Sequence, residues 1–261
     1  MISSKSFAKT CDLVICHAYS DMYVEPIPTK TPKRIFITGD HQLFERFLHK
    51  LSSFEEKFEL VYHYSDAPFD QHKFEAIRPY VTKIYAVNSE IVHPMIQRLP
   101  IGFMDDKVPR SLNLPRDILC YVNLGLYNDR ELKFVNCRAI RKRVLDYFKG
   151  QPWAVVDEAR IPFDEFIEKL NRSEYVVCPV GFGLDTHRFY EASYVGATPI
   201  VTRSAIEDVH RRFKPLVVES YEDLSFDFLR SRGRESPDQS LFHADTWITP
   251  DVDTKNVVAP P

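Results

Sequence analysis

The stretch from Glu174 to Val201 constrains this 261-residue chain more than any other part of it. It starts with a short apolar run, Glu174–Cys178, and then breaks at Pro179, Gly181 and Gly183. A short apolar run bounded by such breakers reads as a strand. Asp185 or Thr186 can cap the helix that follows, because either side chain can accept from a free backbone N–H of the first turn. That helix is expected to reach about Tyr194 and to stop at Gly196. Thr198–Val201 is a second apolar strand. Strand, glycine loop, helix and strand make a βαβ unit. Its loop leads into a helix N-terminus, where unpaired N–H groups and the helix dipole favour an anion such as a phosphate.

Two charges sharpen this reading. Arg188 falls in the first helical turn and Glu191 three residues on, so both share one face. A cation early in a helix opposes the dipole, and an anionic ligand at the loop would give it a reason to be there. A carboxylate beside a phosphate site often accepts from ribose hydroxyls. The plainer alternative is an Arg188–Glu191 surface ion pair next to an ordinary turn.

The rest of the chain repeats the alternation. Strands are expected at Asp12–Cys16, Arg34–Thr38, Phe58–Tyr62, Lys83–Val87 and, briefly, Gln97–Ile101. Helices are expected over Gln42–Leu51 and Asp70–Arg78. A polar linker, Asp105–Asp117, separates these from a second series. That series has strands at Asp117–Val122, Trp153–Val156 and Pro215–Val218, besides the two in the glycine-loop unit. Its helices are expected near 129–148, 163–170, 205–213 and 221–230. Alternating strands and helices imply a mostly parallel α/β fold. Two such units predict two Rossmann-like domains facing across a cleft, 1–105 and 106–230, with a tail over 231–261 wrapping the surface. Trp247 and Ile248 are the tail's candidate anchors. In parallel sheets ligands sit beyond the carboxyl ends of the strands. Asp21, Asp40, His41, His63 and Asp66 all fall at such ends, where turn and cap roles compete with chemistry.

Composition excludes several classes. A content of 44% hydrophobic and 27% charged residues is that of a globular protein. A net charge of −3 argues against a nucleic-acid partner. No apolar run approaches the ~18 residues that span a bilayer, and Met1–Thr10 has no signal-peptide core. The five cysteines are odd in number and have no Cys-x-x-Cys spacing, which fits free thiols in a reducing compartment. A cytoplasmic location is the expectation, with no membrane partner. Asn171-Arg-Ser173 is a formal glycosylation sequon. A hydride-transferring Rossmann enzyme would want Gly-x-Gly-x-x-Gly after the first strand, and Cys16–Asp21 contains no glycine. The only Asp-x-Asp triplet, Asp251-Val-Asp253, lies in the polar tail, and the histidines lack paired zinc spacing, so no metal is expected.

Gly181-Phe-Gly-Leu-Asp-Thr-His-Arg-Phe-Tyr-Glu-Ala192, followed by Gly196-Ala-Thr-Pro-Ile-Val201, resembles the nucleotide-sugar-binding segment of exostosin-like glycosyltransferases. Arg34–Phe47 resembles that family's early strand, Asp and aromatic helix. Leu60–Asp66 resembles its His-Asn-Ser-Asp strand end, with Tyr64 where Asn is usual. Ile84–Asn88, His93-Pro94, Leu99–Gly102 and Cys120–Asn123 extend the likeness, which covers about Asp12 to Leu224. Phe182 stands where the family often has Asn. The family includes small soluble forms encoded by large DNA viruses of algae, which would make the host cytoplasm the compartment.

The resemblance implies the two-domain glycosyltransferase architecture called GT-B and a UDP-sugar donor, with UDP-xylose the best guess and no cofactor. Fucose on an oligosaccharide or glycoprotein is the implied acceptor. Gly181, Gly183, Asp185, Thr186 and the N–H groups leading into His187 would cradle the diphosphate. Arg188 would neutralise it, Glu191 would hold ribose hydroxyls, and Arg138 and Arg141 would be further phosphate ligands. An inverting transferase needs a base from the first domain. Asp40 is the first choice, and Asp66, His63 and Asp21 are the alternatives. A GDP-sugar donor and an inactive nucleotide- or glycan-binding module are the competing readings.

Overall fold

The computed structural model describes residues 1–16, 18, 31–126 and 137–248. The candidate base Asp21, the triplet at 251–253 and the start of the helix expected from residue 129 lie outside the described residues. The described chain is a mixed α/β fold with two parallel five-stranded sheets. The first sheet runs β1 (Leu13–Ile15), β2 (Arg34–Thr38), β3 (Phe58–His63), β4 (Val81–Ala86) and β5 (Ile96–Arg98), side by side in chain order. The second contains β6 (Ile118–Asn123), β7 (Ala154–Asp157), β8 (Ser173–Val177), β9 (Thr198–Thr202) and β10 (Leu216–Val218). Its spatial order is β10-β9-β8-β6-β7, so the chain reverses direction across the sheet between β7 and β8.

The first sheet's order needs cover on both faces. Each connection steps one place the same way, and right-handed crossovers then put every linking segment on one face. Side chains alternate across a strand. Phe58 and Tyr62 of β3 meet Phe47 and Phe44 of the helix His41–Leu48, edge-on with ring centroids 5.9 and 6.0 Å apart. His63, out of phase with them, lies 5.0 Å from Phe7. Phe7 belongs to α1 (Ser4–Ala8), a five-residue helix closed by a Ser3–Ser6 capping box. So α1 covers one face, and the linking helices α2 (His41–Leu48) and α3 (Gln71–Ile77) cover the other. Asp40 and Asp70 are the N-caps of α2 and α3, accepting from Leu43 N–H and Lys73 N–H.

In the second series α4 (Cys137–Lys149), α5 (Phe163–Arg172), α6 (His187–Tyr194), α7 (Glu207–Arg211) and α8 (Phe226–Arg230) flank the sheet. The single helix expected over 221–230 is two pieces. Ser220 and Asp223 close a 3₁₀ turn at Tyr221–Asp223, and Ser225 then caps α8 by accepting from Phe228 N–H. The described part of the tail is packed against the rest of the chain. Trp247 stacks on Phe213 with centroids 6.0 Å apart, and Phe242 lies 5.9 Å from Phe103 and 5.2 Å from Tyr194. One cluster of buried apolar side chains accordingly runs from the first sheet through α5, α6 and Phe213 to Trp247 and Ile248. A second fills the other face of the second sheet, against α4 and α8.

None of the five cysteines is in a disulfide, and burial pushes Cys11 and Cys178 up to about 12. Asn171 is 2% exposed and bonded to Leu112 N–H and the Arg110 and Ile167 carbonyls, so its sequon is closed to modification in the folded chain. Among the described residues no helix is long and apolar enough to cross a membrane.

Candidate functional site

β6 lies between β7 and β8, so the carboxyl ends of β6 and β8 flank the point where the strand order reverses. Open parallel sheets bind ligands at such a point. A pocket of about 460 Å³ opens there, a size suited to a small molecule. Asn123, Leu124 and Gly125 after β6 and Gly181, Phe182 and Asp185–Arg188 after β8 form much of its wall. Glu191 of α6 and Phe163 and Phe166 of α5 complete that side. Asp66, Ile101, Met104 and Lys107 close it from the first half of the chain.

Arg141 of α4 spans the gap between the two strand ends. Its Nε donates to the Val180 carbonyl at 2.9 Å and its Nη1 to the Gly125 carbonyl at 3.2 Å. Burial, and next the charge of Arg188, pull its guanidinium down to about 10. Neighbouring cations on helix α4 behave otherwise: Lys142 pairs with Asp146 and Arg143 with Glu222 at the surface. Arg188 lies over the Phe166 ring at 5.6 Å, and its Nε is buried with no hydrogen-bond partner. Neither Arg141 nor Arg188 has a carboxylate partner among the described residues. Two guanidinium groups facing one concavity, unneutralised, make a strongly anion-seeking site.

Glu191 is 5% exposed, and burial pushes its carboxyl up, while Arg188, then His187 and Lys107, pull it back. No ion pair joins it to Arg188. The surface-pair alternative for these two residues therefore fails: one is buried and the other points into the pocket wall.

The glycine loop is built differently from a simple phosphate cradle. Gly181 N–H donates to the Gly183 carbonyl, Asp185 N–H to Asn88 Oδ1, and Thr186 N–H to Asp185 Oδ1. Those three groups are spent inside the fold. The N–H groups of His187 and Arg188, at the start of α6, have no partner among the described residues and remain for a ligand. Gly183 is outside the pocket wall. A Cβ there would lie 2.5 Å from Asn88 Nδ2, so this glycine lets Asn88 of the first half reach the loop. Thr186 holds the N-cap position of α6 without a side-chain cap bond.

Asp185 is a structural hub. Its buried carboxylate accepts from Ile101 N–H at 2.8 Å and Tyr190 O–H at 2.5 Å on one oxygen. The other oxygen accepts from Thr186 N–H and His210 Nε2–H, both at 2.9 Å. Both oxygens are thus occupied by the protein. His187 donates Nδ1–H to the Gly102 carbonyl at 2.7 Å, which fixes its tautomer and leaves Nε2 as an acceptor. Gly102 has a φ of +69°, and a Cβ there would strike the Ile2 carbonyl at 2.4 Å, so only glycine presents that carbonyl to His187.

Of the expected bases, Asp66 alone lines the pocket among the described residues. Asp40, the first choice, is an exposed N-cap outside the wall. His63 is fully buried, donates Nε2–H to the Pro100 carbonyl and accepts at Nδ1 from Tyr64 N–H and Ser4 O–H. Burial pulls its pKa down to about 4, and it has no access to a substrate. Arg138 is exposed and outside the wall. Lys107, Asn123 and Phe166 line the pocket without having been picked out by the sequence. Only the strand-end position of Asn123 could have flagged any of them. Among the described residues no group of three or more His, Cys, Asp or Glu side chains is arranged to hold a metal.

Comparison with protein-family models and with curated proteins returns no match for the chain.

Proposed function

We propose that this chain is an inverting glycosyltransferase that moves a sugar from a UDP-sugar, with xylose the best candidate, onto a hydroxyl of a glycan. The two sheets would belong to two Rossmann-like units facing across a cleft, with the pocket as the donor site. The observation that carries the reading is the pair Arg141 and Arg188, both turned to the strand-order reversal and neither neutralised by a carboxylate. A nucleoside diphosphate supplies the missing charge. The free N–H groups of His187 and Arg188 would meet phosphate oxygens, and Glu191 would accept from ribose hydroxyls.

In the reaction the acceptor oxygen attacks the anomeric carbon as the bond to the β-phosphate oxygen breaks. The glycosidic bond forms, UDP leaves, and the acceptor proton passes to Asp66. Arg141 and Arg188 stabilise the charge that builds on the leaving diphosphate, in a partly dry site where fixed cations act strongly. That supply of positive charge is what a metal ion would otherwise bring, so activity in EDTA is expected.

Calorimetric titration with UDP, GDP and NAD in EDTA tests the reading. UDP should bind in the micromolar range, and Arg188→Ala should weaken it about 10- to 100-fold, the scale of one lost charge-assisted bond. Preference for GDP would change the donor base and keep the site. Binding of none of the three would sink the proposal.

A further inference from the structure

The carboxyl edge of the first sheet holds an unusual residue. Tyr64 follows directly on β3 and has a φ of +54°. The left-handed region is uncommon for any residue but glycine and Asn, and for a bulky aromatic it is an outlier that costs free energy. The surrounding structure holds it there. Tyr64 N–H donates to His63 Nδ1 at 2.8 Å, and Thr38 Oγ1–H donates to the Tyr64 carbonyl at 3.1 Å. His63 is itself locked between Ser4 and the Pro100 carbonyl. Strain kept by this many contacts marks a position with a task. The ring is not the beneficiary of burial, because Tyr64 is 47% exposed.

The location defines the task. Two residues on, Asp66 lines the pocket, and the intervening Ser65 carbonyl accepts from Asn88 Nδ2, the side chain that also holds the glycine loop. Tyr64 is therefore fixed to the same rigid joint as the donor loop, on the first-half side. Tyr64 itself stands outside the pocket wall, where an aromatic face suits the apolar C–H face of a sugar ring reaching out of the pocket, and the Asp66 carboxylate two residues on, in the wall, suits its hydroxyls. We propose that Tyr64 is the acceptor platform, stacking on the pyranose ring whose hydroxyl is presented to Asp66. This rests on the transferase reading above.

The test measures two ligands on the full chain. Wild type, Tyr64→Phe, Tyr64→Ala and Tyr64→Asn are probed against an immobilised panel of mono- and oligosaccharides in saturating UDP, and UDP affinity is measured separately by calorimetry. Wild type and Tyr64→Phe should retain the same glycans. Tyr64→Ala and Tyr64→Asn should bind them about tenfold less tightly, the scale of a lost ring contact, with UDP affinity unchanged. Tyr64→Asn should unfold at no lower temperature than wild type, since Asn tolerates the positive φ. Equal retention by Tyr64→Ala, or no glycan retained by a wild type that binds UDP, overturns the platform and leaves the donor site standing. A wild type that binds no UDP removes the donor site and the platform with it.

Discussion

Replacing Asp185 by asparagine removes one acceptor oxygen from a carboxylate that takes four hydrogen bonds in the interior. The amide can turn either way. With its NH₂ on the side of Thr186 and His210, His210 can change tautomer and accept, but Thr186 N–H then faces a donor. His210 Nδ1, already buried without a partner, must also carry the proton. With the NH₂ on the other side, Tyr190 can rotate its hydroxyl, but Ile101 N–H is stranded. Each orientation leaves at least one buried N–H unpaired, at about 1–3 kcal/mol, and weakens the remaining bonds by removing the charge. The total is about 2–4 kcal/mol. With a urea dependence of about 3 kcal/mol per molar for a chain this size, the unfolding midpoint should fall by roughly 1 M. Equilibrium urea unfolding followed by tryptophan fluorescence is a suitable assay, because Trp247 is buried in the cluster that includes Phe213. A midpoint within about 0.2 M of wild type would show that the hub is not a net stabiliser, and the reasoning would be wrong.

Gly183→Ala should cost about 2 kcal/mol by overpacking against Asn88, and less than half of that in an Asn88→Gly background, read from a double-mutant cycle of unfolding midpoints. His63 titrates near 4 when folded and near 6.5 when unfolded, so the unfolded chain binds the extra proton between those values. Stability should therefore be fully present above about pH 6.5 and fall as pH drops towards 4, by about 3 kcal/mol from this group; a His63→Gln chain that loses stability just as steeply over this window would contradict it. Glu191→Gln removes a charge that burial disfavours, so the free protein should melt at the same temperature or higher while its UDP affinity drops about tenfold. A variant that melts lower and binds UDP normally would reverse the role given to Glu191.

The alternation of apolar runs made most of the strands legible. β2 and β9 are short, apolar and bounded by breakers, and their buried faces follow from that. The short helix α1 was not legible, because five residues carry too little period to distinguish them from a polar terminus. Within the site, Arg188 and Glu191 could be read from spacing, since both lie on one helix. Arg141 could not be separated from Lys142 and Arg143, because only its contacts with Gly125 and Val180 set it apart, and those residues are far away in the chain. Asp40 illustrates a deeper ambiguity. An Asp at a strand end before a helix is the pattern of a catalytic carboxylate and equally of an N-cap, and here it caps. The bond from Asp185 N–H to Asn88 spans 97 positions, and no local signal encodes it.

The two ends of the described chain meet. Ile2 N–H donates to the Phe242 carbonyl, and Phe103 N–H donates to that of Ile2, so the opening segment sits between the middle and the tail. A ribosome delivers these partners in sequence, so Ile2 waits for Phe242 until all the residues between them have been made. The first sheet can pair early, since its strands are neighbours in order, but its seal against α6 and Phe213 closes last. Unreleased nascent chains should thus expose apolar surface around Phe103 until translation reaches the tail, which makes that interval the one in which a chaperone has most to hold.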